Sequence, residues 1–177
     1  MKRRTEIKKV TLSAMFLALA FTLPFLTGQI PQIGSMLCPM HIPVLLCGFF
    51  CGAVWGMGIG FTAPLLRSVV LGMPVLFPNA FCMGFELAAY GLVAGWLHNK
   101  LPRKKIYVYI SLVCAMITGR ILWGIVMFSC MGFDASKFGI DAFLAGAVLN
   151  AVPGIILQIV LIPILVITLE KIVNKQE

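Results

Sequence analysis

Three charged side chains stand inside long apolar stretches of this chain, Arg67, Glu86 and Arg120, and two asparagines, Asn79 and Asn150, keep them company. At mid-bilayer an unpaired ionised side chain costs about 2.5 to 3.5 kcal/mol on insertion scales, so such residues face a partner, a cavity or a ligand. Arg67 and Glu86 belong to one stretch, GFTAPLLRSVVLGMPVLFPNAFCMGFELAAY, which turns at Gly72, Met73 and Pro74 and is broken again at Pro78. Within it Asn79, Met83, Glu86 and Tyr90 recur at helical steps and so share one face. Two chemistries fit. Arg67 and Glu86 either form a buried ion pair, with Arg120 bonding to carbonyls, or the three charges line a polar binding site.

Other chemistry is poorly supplied. The chain has no G-x-S-x-G, no H-E-x-x-H, no paired carboxylates within the apolar stretches and no C-x-x-C, so neither an enzyme nor a resident metal or cofactor is expected. Of six cysteines, Cys47 and Cys51 lie one helical turn apart and read as small apolar fillers in helix contacts. His41 stands where a proline-containing loop meets an apolar run, as a hydrogen-bonded anchor or a ligand contact.

The elements that must position these residues are membrane spans. Of 177 residues 60% are hydrophobic and 11% charged, against about 25% charged in an ordinary soluble domain. Mean hydropathy is +1.02. The length leaves room for about six spans and for no soluble domain. The fold class is therefore all-α, a compact polytopic bundle in one domain, 1–177. Its helices are predicted at about 7–27, 42–60, 61–71, 79–99, 106–131 and 140–170. The third is too short to cross and is read as tilted, broken at Pro64, or continuous with the second. The second carries Gly48, Gly52, Gly56 and Gly60, a register that presses against another backbone. The sixth repeats it with Ala142, Gly146, Asn150 and Gly154, interrupted by Pro153 and Pro163. Between the first two, Gly28 to Pro43 reads as an uncharged, proline-rich external loop able to cover a cavity. The first apolar run is followed by no cleavage pattern, so it is read as a span and not as a signal peptide.

Net charge is +8, but the basic residues gather at span ends, which points to topology and not to nucleic acid. With both termini cytoplasmic, eleven Lys and Arg residues flank the inner side and only Lys137 the outer. Counted from the predicted outer ends, Arg67 lies about 8 Å deep, Glu86 about 10 Å, Asn150 about 15 Å and Arg120 about 17 Å. That points to a polar pocket in the outer half of the membrane or near its midplane, entered from outside.

With these features the chain resembles the substrate-binding S component of an energy-coupling factor (ECF) vitamin transporter. The resemblance rests on length, six spans, the Ala14-x-x-x-Ala18 step in the first helix, the long first loop and the segment PLLRSVVLGMPVLFPNAFCMGFELAAYG. It implies a cell-membrane protein that binds a vitamin-like small molecule and works with a transmembrane coupling subunit and two ATPase subunits. It assigns Ala14 and Ala18 to docking, and Arg67, Asn79, Glu86, Arg120 and Asn150, with His41 beside them, to the substrate site. Because Arg67 and Arg120 outnumber Glu86, a carboxylate-bearing vitamin such as pantothenate is expected. A neutral pyridoxine-like or nucleobase-like compound is the alternative, and a stand-alone carrier or channel the competing class.

Overall fold

The computed structural model describes residues 2–27, 36–102, 104–134, 139–147 and 149–174. Helix α1, Lys2–Thr22, continues as a 3-10 turn over Leu23–Thr27, because Pro24 lacks the N–H that would extend the α-helical ladder. Then come α2, His41–Cys51, α3, Ala53–Leu71, a wide turn over Leu76–Ala80, α4, Phe81–Lys100, and α5, Lys105–Cys130. The chain closes with α6, Ile140–Ala147, a 3-10 turn over Leu149–Ala151, and α7, Val152–Asn174. Among the described residues no strand forms, and five helical stretches are long and apolar enough to cross a membrane. The protein is a helical membrane bundle, as its composition predicts.

The short element is not where the sequence places it. A helix over 42–60 followed by a short one over 61–71 is expected, but the break falls at Gly52, whose backbone (φ +95°, ψ 173°) only glycine adopts readily. In consequence α2, with 11 residues, is the short helix at about 17 Å, whereas α3, with 19, reaches about 28 Å. Pro64 sits inside α3 without ending it. The expected sixth span is likewise divided, with Pro153 in the first turn of α7, where a missing N–H costs nothing. Of the expected loop, residues 28–35 lie outside the described residues, as do Arg103, Lys137 and Lys175 of the topology count. His41 to Pro43, placed in that loop, form the first turn of α2.

Helix α4 is the centre, packed by α2, α3 and α5, while α1 lies against α2 and α3, and α7 against α5 and α2. The glycine register does meet a backbone. A methyl group on Gly48, Gly56 or Gly60 would stand 2.6 Å from the Gly91 carbonyl oxygen, 2.8 Å from the same atom and 2.3 Å from the Leu87 carbonyl oxygen respectively. Gly52 alone leaves that seam to make the break. Outside it the bundle shows lipid-facing side chains such as Val54, Val69, Ile117, Ile121, Ile125 and Ile156, all more than half exposed. In hydrocarbon that exposure costs nothing, so close van der Waals contact along the seam is what binds the helices.

The seam yields a paired prediction. A methyl on Gly91 would lie 2.3 Å from the Gly56 carbonyl, whereas one on Gly58 meets nothing within 4 Å. Gly91→Ala should lower unfolding stability in detergent by about 1 to 3 kcal/mol, and Gly58→Ala should leave it unchanged or raise it by up to about 1 kcal/mol. Equal effects would show that the close approach is not what holds α3 to α4.

Candidate functional site

Glu86 and Arg120 lie at one level of the bundle because their helices run oppositely from the same basic end. Glu86 is about 21 Å from the Lys100 end of α4, and Arg120 about 22 Å from the Lys105 end of α5. Arg120 Nη1 is 3.0 Å from Glu86 Oε1. The same oxygen is 3.4 Å from His41 Nε2, at the start of α2. Because a carboxylate only accepts, this contact holds the imidazole with its proton on Nε2. Arg120 Nη2 also reaches Cys38 Sγ at 3.6 Å. Tyr90, one turn along α4 from Glu86, sets its ring edge-on to His41 with centroids 5.1 Å apart. Three helices and the segment before α2 thus converge on one carboxylate.

The cluster is deeply buried: Glu86 is 3% exposed, His41 2% and Tyr90 0%. Gly119 makes this possible, since a methyl there would lie 2.3 Å from the Tyr90 ring and 3.0 Å from the Glu86 carbonyl oxygen. Glu86 and Arg120 form a one-to-one ion pair, with His41 as a second contact of the same carboxylate. The hydrogen bonding of the cluster is incomplete. His41 Nδ1 and Arg120 Nε are buried with no partner in hydrogen-bond geometry, and the Tyr90 hydroxyl faces the Glu86 carboxylate without a short hydrogen bond. Buried polar groups in native proteins are nearly always satisfied, so unpartnered nitrogens on two members of one ion-pair cluster are unusual.

Sequence reasoning grouped more residues than the structure brings together. Glu86, Arg120 and His41 meet; Arg67 does not join them. It is 4% exposed and donates from Nη1 to the Phe21 carbonyl oxygen at 2.8 Å, with its guanidinium 5.4 Å from the Phe25 ring centre. That carbonyl belongs to the last turn of α1, where a cation complements both the unbonded C=O groups and the helix dipole. Arg67 is thus seated against α1, and the Arg67–Glu86 ion pair is replaced by Arg120–Glu86. Asn79, in the wide turn before α4, and Asn150, in the 3-10 turn before α7, are both exposed. Ala14 and Ala18 are exposed on α1, while Ser13, Phe16 and Ala20 turn inward.

Two buried residues escape the sequence reading. Nothing in the spacing of Cys38 signals its contact with Arg120. Gln158 is 1% exposed with both amide atoms unpartnered. Its signal was present: a polar residue in an apolar span, one turn after Gly154 on the same face. A methyl on Gly154 would lie 2.6 Å from the Met36 carbonyl oxygen, so this face of α7 abuts the segment that carries Cys38.

Compared with known protein families, the chain matches the model of the ECF transporter substrate-specific component over residues 8–166. Among curated proteins and among solved structures none matches it.

The geometry separates two arginines that look alike in sequence. Arg67→Gln should cost about 1.5 to 3 kcal/mol of unfolding stability, the worth of a hydrogen bond from a charged group, and leave retention of a copurifying small molecule in native mass spectra as in the parent protein. Gly119→Leu, which drives a side chain into Tyr90, should abolish that retention. Loss of the molecule in the Arg67 variant would put Arg67 back in the site.

Proposed function

The chain belongs to the family of ECF transporter substrate-specific components, and we propose that it is the high-affinity binding subunit of an importer for a small, polar, uncharged micronutrient. In this reading it sits in the cell membrane with both termini cytoplasmic, binds its cargo through Glu86, Arg120, His41 and Tyr90, and engages a transmembrane coupling subunit served by two ATPases. The observation that carries the ligand class is the one-to-one pair with unpartnered nitrogens on His41 and Arg120. The charge count along the chain favours a carboxylate ligand, because it puts two arginines in one pocket. With Arg67 seated on α1, an added anion would unbalance the cluster, whereas a neutral heterocycle with donor and acceptor edges, pyridoxine-like or nucleobase-like, would complete it. The small exposed face at Ala14 and Ala18 supports docking through α1, since such residues let helix backbones approach closely.

Native mass spectrometry of the protein purified from a rich medium identifies the cargo, and calorimetry with pantothenate, pyridoxine and free nucleobases sorts the classes. The neutral compounds should bind, and Arg120→Gln and Glu86→Gln should each weaken binding by more than about 2 kcal/mol, because either change leaves the opposite charge buried and unpaired. Tight binding of pantothenate alone would overturn the ligand class. Ala14→Leu or Ala18→Leu should block uptake in the reconstituted complex with binding intact; normal uptake would remove α1 as the docking helix.

A further inference from the structure

A concave site lies at the basic end of the bundle, about 20 Å from Glu86 along α4. There a cavity of about 170 Å³ is lined by Lys104, Lys105 and Lys171, with His98 and Glu170 beside them. The lysines come from the link before α5, the first turn of α5 and the last turns of α7, so the fold gathers them from separate parts of the chain. Glu170 is paired within the cavity, its Oε1 lying 3.0 Å from His98 Nε2. Among the described residues no carboxylate stands within ion-pairing distance of Lys104, Lys105 or Lys171. Neighbouring Lys100 is different, its amine resting over the Trp96 ring at 4.3 Å.

The local field is positive. Helix α5 starts with no acidic residue in its first turn and no side-chain cap, so its positive end adds to the lysines and does not offset them. A concave site with at least two surplus positive charges is complementary to a phosphate group. The remaining walls include Val108 and Ile167, and Ile106 beside them is 61% exposed. A group that is anionic at one end and apolar at the other, held at the ends of membrane spans, is an anionic phospholipid.

We propose that this cavity binds the phosphodiester headgroup of an anionic phospholipid, with Lys104, Lys105 and Lys171 holding the phosphate and the acyl chains lying along Ile106 and the apolar wall. A soluble phosphoester shares the headgroup chemistry, and the test separates the two. The full-length protein is exchanged into micelles doped with phosphatidylglycerol or with phosphatidylcholine of the same chains, and bound lipid is counted by native mass spectrometry. One phosphatidylglycerol per chain should be retained where phosphatidylcholine is not. Each Lys→Gln change should weaken retention about fivefold and the triple change about a hundredfold, with helicity by circular dichroism unchanged because all three side chains are exposed. Millimolar glycerol 3-phosphate should leave the lipid bound. Equal retention of both lipids, unchanged retention in the single Lys104→Gln variant and the triple variant, or displacement by millimolar glycerol 3-phosphate would each overturn the proposal.

Discussion

The Glu86–Arg120 ion pair constrains everything around it. A carboxylate 3% exposed in the middle of an apolar bundle survives ionised only beside a cation, and 3.0 Å between the charged atoms requires α4 and α5 to stay in one register. Gly119 permits that register by letting α5 close on Tyr90 and the Glu86 backbone. His41 adds a second contact to the same oxygen, which in turn sets where α2 begins. The pair is a poor source of net stability, because removing two charges from water costs nearly what their attraction returns. Its persistence fits a function for which polar groups must be kept ready inside the membrane.

Around that centre the helices are held by shape. Where lipid is as apolar as the side chains, burial gives little drive to association, and the contact of Gly48, Gly56 and Gly60 with α4 replaces it. One glycine of the same register, Gly52, breaks the helix in place of packing it. Cutting α2 short lets the chain deliver His41 to mid-bundle depth, a position that an uninterrupted helix starting at the membrane surface would not offer. Arg67 serves a neighbouring purpose, tying α3 to the unfinished end of α1 and thereby linking the helix that carries Ala14 and Ala18 to the core.

Much of this was legible in the sequence because membranes impose coarse rules. Apolar run length and the clustering of lysines give the helical class and the approximate spans, and charges in apolar runs single out Glu86 and Arg120. What the sequence left open depends on three dimensions. Four equally spaced glycines look equivalent until one adopts a positive φ. Arg67 and Arg120 look alike until one meets a free carbonyl and the other a carboxylate. Charge counting along the chain therefore points to two arginines against one carboxylate where the geometry pairs one with one. Gln158 escaped notice because a single amide is an ordinary sight in a long span, and only its burial without partners distinguishes it.

The central claim is that Glu86 and Arg120 act as one unit. A double-mutant cycle on unfolding free energy in detergent, with Glu86→Gln, Arg120→Gln and the double variant, addresses it directly. Each single change should cost about 3 to 5 kcal/mol by leaving a buried charge unpaired. The double variant should lose less than the sum by at least about 1 kcal/mol, since both charges go together. Strictly additive losses would contradict the account and return the two residues to separate roles.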